Sequence, residues 1–414
     1  VVMTRVRLRS QPSYLERLAV VFADPIRLTI VTELFARPMS PSQFFGEFGG
    51  GSLGRVDRHF KRLADSGWLR LVKQATGGKR RGATENFYRA TELATIDTET
   101  WSSIPRSLRE EYSCRVFEQF CERVGDALVA ETFDSDPKRH FTWTPLILDE
   151  EARQDVIASV DRLFKSALEE QADAKFRLPK SNEDPRIVTV GLAAFDSPGD
   201  VSLPPRLPAS RNPSPASSPL TFTARLARVF ADPVSLTIVT ELNLREMSAK
   251  EFAEKHGDQT LPNVARRFKS LTELGWLVKV GEKTGGKRRG SKESFYRATG
   301  PATFDTETWS NIPAAVRATK SWQVLTQLSE QARRAMTAGT FDARTDRHLT
   351  WVPIVLDTQG WTQLIAAADA VFHNLFKAQA AAKRRLTVSG ETPQILTVSL
   401  AVFESPPKSV DILF

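Results

Sequence analysis

Residues 56–82 read VDRHFKRLADSGWLRLVKQATGGKRRG, and residues 264–290 read VARRFKSLTELGWLVKVGEKTGGKRRG. In the first stretch Val56, Phe60 and Leu63 recur at helical spacing, which places Arg55, Arg58, His59 and Arg62 mostly on the opposite face. Gly67 ends that pattern. Trp68-Leu-Arg-Leu-Val72 then alternates as a strand, and residues 86–90 read as a second strand rich in aromatic residues. Between them Gly77-Gly78 permits the backbone of a tight hairpin, and Lys79, Arg80 and Arg81 place three cations at its tip. The second stretch carries Asn263, Arg266, Arg267 and Lys269 on its helix and Lys287, Arg288 and Arg289 at its tip.

Upstream, Ser13 caps a helix running to Phe22, and Asp24-Pro25 offers a cap followed by proline in the first helical turn. Ile26, Ile30, Val31 and Leu34 keep helical spacing until Arg37-Pro38, and Ser40-Pro41 opens a third, short helix through Phe44 and Phe45. Gly49, Gly50 and Gly51 turn the chain into the helix that begins near Ser52. Short helices closing on a basic one give a helix-turn-helix pattern, and the cationic hairpin beside it reads as a wing. Phe22, Phe60 and Trp68, with Phe230, Phe268 and Trp276, read as core because aromatic side chains dominate burial.

The two stretches belong to a longer repeat. Phe22-Ala-Asp-Pro25 recurs as Phe230-Ala-Asp-Pro233, an offset of 208, and the same offset carries Asp97-Thr-Glu-Thr-Trp101 onto 305–309 and Ala194-Phe195 onto Val402-Phe403. The expected fold is therefore α+β and mainly helical: two tandem copies of a winged helix-turn-helix domain, each followed by a helix/strand C-terminal lobe. The boundaries are a tail at 1–12, the first winged domain at 13–100, the first lobe at 101–197, a Pro/Ser-rich linker at 198–219, the second winged domain at 220–308, the second lobe at 309–406 and a tail at 407–414. An extended linker of that length reaches on the order of 60 Å, enough for the copies to pair.

Within the lobes, 141–148 and 187–195 read as strands and 150–176 as a long helix with Val156, Val160, Leu163 and Ala167 on one face; the matching segments are 349–356, 395–403 and 361–384. Long amphipathic helices need an apolar partner, so the lobes are candidates for pairing, for an effector pocket, or for both. Arg139-His140 with Trp143, and Arg347-His348 with Trp351, are candidates to line a pocket for an acidic or aromatic small molecule, against the plainer reading that they pack at the strand entry. Cys114 and Cys121 read as buried or incidental thiols.

The formal net charge of +8 is concentrated: residues 13–91 and 221–299 each carry +6, leaving the rest at −4. That suits a polyanionic partner for two matching segments. No apolar run has the length of a membrane span, residues 1–11 lack a signal-peptide core, and two cysteines make no disulfide framework, so a cytoplasmic location without membrane attachment is expected. Gly49-Gly-Gly-Ser-Leu-Gly54 lacks the lysine of a phosphate loop, and neither zinc spacing nor a nucleophile elbow is present. No enzyme activity, metal or cofactor is therefore expected.

Asp24-Pro-Ile-Arg-Leu28, Val56-Asp-Arg-His-Phe60, Leu63 and Gly67-Trp-Leu69 resemble the ArsR-type winged helix-turn-helix regulators, here in a tandem, fused form. The resemblance covers roughly a fifth of the chain per copy and implies a dimeric repressor with its recognition helices in successive major grooves of double-stranded DNA. Metal-sensing members carry cysteines on the helix before the turn; residues 32–37 contain none. The expected function is a sequence-specific regulator working as a monomeric pseudo-dimer, or as a homodimer, with two non-identical recognition helices. A low-specificity nucleoid-architectural protein and a winged-helix scaffold for protein partners are the alternatives.

Overall fold

A computed structural model describes residues 14–76, 84–96, 98–199, 222–230, 232–257, 259–284, 292–300, 309–310 and 312–406. The chain is α+β and mainly helical, and among the described residues all strand pairings are antiparallel. The first 76 of the described positions show how local signals set the elements. α1 (Tyr14–Phe22), α2 (Pro25–Ala36), α3 (Pro41–Phe48) and α4 (Leu53–Asp65) lead into the hairpin β1 (Leu69–Thr76) and β2 (Thr84–Ala90). Asp24 caps α2 by accepting from Ile26 N at 3.0 Å, Ser40 and Gln43 form a capping box on α3, and Ser52 accepts from Arg55 N at 3.3 Å at the start of α4. Each cap satisfies a backbone donor that the first helical turn leaves unpaired. Gly67 follows α4 with φ +78°, a left-handed turn that swings the chain into β1, and Gly275 repeats it with φ +75°.

The second copy repeats the order as α8 (Phe222–Phe230), α9 (Pro233–Leu244), β5 (Met247–Ser248), α10 (Ala249–Lys255), α11 (Leu261–Glu273), β6 (Leu277–Thr284) and β7 (Lys292–Ala298). β5 pairs with β7 where the first copy has a single bridge between Met39 and Tyr88. Each helix–hairpin unit has its own core, with Phe44, Phe60 and Trp68 buried in one and Phe252, Phe268 and Trp276 in the other. Trp68 Nε1 donates to Arg17 O at 2.8 Å and Trp276 Nε1 to Arg225 O at 3.3 Å, so each indole buries its ring with its donor paired.

Behind the units lie α5 (Thr98–Ser103), α6 (Arg106–Val129), β3 (His140–Leu148), α7 (Glu150–Arg177) and β4 (Arg186–Asp196) in the first copy. The second copy supplies α12 (Ala314–Thr337), β8 (His348–Leu356), α13 (Thr358–Ser389) and β9 (Gln394–Glu404). The four strands make one sheet in the order β3-β9-β4-β8. Strands of the same copy are never neighbours, so neither lobe has a sheet of its own. At the centre Leu192 faces Leu400, two positions related by the 208-residue offset.

Both faces of this sheet are covered. Val188, Val190, Leu192 and Ala194 of β4 join the core under α7 and α13, while Ala193 and Phe195 join the core under α6 and α12. Gly191 lies on that second face, and a Cβ there would sit 2.1 Å from Phe120 Cε2 of α6, so the ring is seated directly on the backbone. Two-sided burial explains why these strands read as nearly continuous apolar runs.

Several side-chain bonds between the copies come in reciprocal pairs. Gln171 accepts from Val355 N at 3.0 Å and Gln379 from Ile147 N at 2.8 Å. Arg177 pairs with Asp357, the cap of α13, and Arg385 with Asp149, the cap of α7. Cys121 Sγ and Ser329 Oγ, offset by 208, meet at 3.4 Å. A contact of i with j+208 matched by one of j with i+208 is the signature of an isologous, two-fold arrangement, here within one chain.

Candidate nucleic-acid interface

α4 and α11 each bury one stripe and expose the other. Val56, Phe60 and Leu63 are buried in the first and Val264, Phe268 and Leu271 in the second. Arg55, Arg58 and Arg62, and Asn263, Arg266 and Lys269, lie exposed. His59 and Arg267, at equivalent positions, are half-buried and turn back toward the preceding helix. His59 Nε2 lies 3.5 Å from Asp24, and Arg267 Nε donates to Asp232 at 2.5 Å. Asp24 and Asp232 are the caps of α2 and α9, so one carboxylate both starts a helix and holds the base of the basic one.

This arrangement sets the charge at the helix. Burial lowers the His59 pKa, and Arg27, Arg55 and Arg58 push in the same direction against Asp24, which leaves the imidazole mainly neutral at pH 7. Burial pushes Asp232 upward, but hydrogen bonds from Arg267 and Ser235 outweigh it and hold the carboxyl below its ordinary range. The sequence-derived set of eight thus divides into six exposed residues and two half-buried ones that face the preceding helix.

The exposed faces are not identical. Arg55 donates to Asp24 at 3.2 Å, Arg58 lies along its own helix on Gly54 O at 3.2 Å, and Arg266 donates to Asn263 Oδ1 at 3.3 Å. Asp57 pairs with Lys61 at 2.8 Å in α4; in α11 that carboxylate is replaced by Ala265, beside Lys269. The hairpins run from Leu69 opposite Ala90 to Thr76 opposite Thr84, and from Leu277 opposite Ala298 to Thr284 opposite Lys292. The tip residues Lys79, Arg80, Arg81, Lys287, Arg288 and Arg289 lie outside the described residues.

The residues considered for an effector pocket are split. Arg139 and Arg347 are only 3% and 7% exposed, and both are locked across the copies. Arg139 donates to Asp134 at 2.9 Å and to Ser321 at 2.6 Å, 4.2 Å over the Trp309 ring. Arg347 donates to Asp342 at 2.5 Å and to Ser113 at 2.6 Å, 4.4 Å over the Trp101 ring. Burial pushes the Arg139 pKa down to about 10 and lowers that of Arg347 as well. Arg139 therefore stays cationic at neutral pH. Arg347, His348 and Trp351 line a cavity of about 670 Å³; Arg139, His140 and Trp143 do not.

Asp134, Asp342, Ser113 and Ser321 as holders of the buried arginines, and Asp24 and Asp232 as neighbours of the basic helices in addition to caps, were not read from the sequence. All three pairs keep the 208 offset, which is the signal that could have singled them out. Among the described residues no group of three metal-ligating side chains converges, and Cys121 is pushed up to about 11, chiefly by burial, so it stays a protonated thiol. No described helix is long and apolar enough to cross a membrane. No protein-family model, curated protein or solved structure matches the chain.

Proposed function

We propose that this chain is a sequence-specific, double-stranded-DNA-binding transcriptional regulator of repressor type, in which two ArsR-like winged helix-turn-helix units act as a single-chain pseudo-dimer. The observation that carries this reading is the recurrence of an exposed basic helix face at equivalent positions of two halves joined by a two-fold-related sheet. Two recognition helices held in that way address two half-sites on one duplex. Arg55 suits guanine, to which arginine donates two hydrogen bonds, whereas its counterpart Asn263 suits adenine, so the half-sites differ. Arg267 sets the pose of α11 through Asp232, His59 packs at the equivalent position of α4, and both leave base contact to the exposed residues.

Titrating a fluorescent duplex at increasing salt tests the reading. The intact chain is expected to bind with steep salt dependence, and a variant carrying Arg58→Ala, Arg62→Ala, Arg266→Ala and Lys269→Ala should lose about 0.9 of log–log slope for each phosphate contact removed. Absence of duplex binding overturns it in favour of a protein scaffold, and binding identical in the variant overturns the assignment of the two helix faces as the contact surface.

A further inference from the structure

The 670 Å³ cavity lies where the first helix–hairpin unit meets the shared sheet. Its walls come from the α1–α2 junction, from residues 93–96 leading out of β2, from α5, α6 and α7, and from β8 of the other copy. The volume is in the range of small-molecule sites. Five aromatic side chains line it: Phe22, Trp101, Tyr112, Phe164 and Trp351. Phe22 and Tyr112 pack with centroids 4.8 Å apart, and Phe164 meets the His348 ring edge-on at 6.0 Å. Such walls favour a planar, aromatic occupant.

Two buried polar atoms on lining residues have no hydrogen-bond partner: the indole Nε1 of Trp101, a donor, and Nε2 of His348. The repeat supplies a control for the second. In the first copy His140 Nδ1 is held by Asp369 at 2.9 Å and Nε2 is satisfied by Thr142 at 3.1 Å. In the second, His348 Nδ1 is held by Asp161 at 2.5 Å, yet Nε2 has no partner although Thr350 occupies the position of Thr142. With Nδ1 engaged by Asp161, Nε2 is the one ring nitrogen of His348 left for a ligand. A buried polar atom left unpaired costs free energy that a ligand recovers by pairing with it.

We propose that this cavity is a binding site for a planar aromatic small molecule carrying a hydroxyl and a carbonyl oxygen, the hydroxyl pairing with His348 Nε2 and the carbonyl accepting from Trp101 Nε1. Because the walls join the first helix–hairpin unit to the sheet, occupancy couples to the placement of that unit. The site itself does not depend on the DNA-binding reading.

Fluorescence titration of the full-length chain with 7-hydroxyflavone and with flavone, which differ by one hydroxyl, tests the assignment without any DNA. The expected result is saturable one-to-one binding of 7-hydroxyflavone, with flavone roughly tenfold weaker. His348→Phe should close the gap between the two ligands. Ala158→Trp, which fills the cavity from an exposed position on α7, should abolish binding of both. The proposal is overturned if 7-hydroxyflavone shows no saturable binding, if the two ligands bind the unsubstituted chain equally, or if Ala158→Trp leaves affinity unchanged. The first two outcomes require no variant to fold.

Discussion

The helix–hairpin units and the lobes behind them descend from the same repeat, yet one pair stayed separate and the other merged. Each unit packs its buried aromatics with residues of its own copy. Both cores of the lobes draw on both copies, one including Leu146 with Val352 and the other Phe117 with Phe341. A separate core lets α4 and α11 diverge freely on the surface, as Arg55 and Asn263 have done. A merged one forces substitutions to match across the interface. Arg153, fully buried, is held between Asp196 and Asp346, and the first-copy equivalent of Asp346 is Lys138. A first lobe pairing with another first lobe would set Arg153 against that lysine, so like-charge repulsion favours pairing between unlike copies.

The sharpest way to break the comparison is to remove a carboxylate from the reciprocal locks. Asp342→Ala strands the buried Arg347 cation and should cost about 3–5 kcal/mol in urea unfolding. Because the lock spans both copies, both lobes should lose structure in one transition; loss confined to one half would contradict the merged core. Gly191→Ala drives a methyl into Phe120 and should cost about 1–3 kcal/mol, whereas Ser399→Ala, at the equivalent position, should stay within about 0.5 kcal/mol. Equal costs at the two sites would remove the case for the ring seated on Gly191. In the first helix–hairpin unit, Asp24→Ala removes a cap and should cost about 1 kcal/mol. Hydrogen exchange should place that loss in α2 and α4 and leave the sheet amides protected.

The smallest effect is a pH slope. Asp149 and Asp357 are held below the usual carboxylate range, first by hydrogen bonds from Arg385 and Arg177. Their folded pKa values are depressed, so their stabilisation is complete above about pH 4, the ordinary aspartate value, and fades as acid protonates the folded state. The urea midpoint should therefore fall between pH 5 and pH 3, and fall less in a variant carrying Arg177→Met and Arg385→Met. An unchanged fall would show that these cross-copy pairs do not carry the slope.

Much of this was legible in the residues, because caps and periodicity are local. Asp24-Pro25, Ser40-Pro41 and Ser52 start helices where their side chains meet backbone donors, and the Val56, Phe60, Leu63 stripe locates the exposed face of α4. The six lobe segments also formed with ends within a few residues of expectation. What was hidden is non-local. Alternation and apolar runs report that a strand is buried, not which strand lies beside it, so the interleaved order could not be read from β3 or β4 alone. His59 and Arg267 sit at basic-face positions by spacing, but both turn toward a carboxylate 35 residues upstream, with which Arg267 pairs. Arg139 reads as a pocket-lining or strand-entry residue, and only the fold brings Asp134, Ser321 and Trp309 together around it.

The most direct test of the central claim is selection from a random duplex library at near-physiological salt, with the intact chain beside the variant in which Arg58, Arg62, Arg266 and Lys269 are alanine. Two unlike recognition helices on one pseudo-dimer predict an enriched, asymmetric, two-part motif that disappears in the variant. Binding without enrichment, or a motif that survives in the variant, would contradict it.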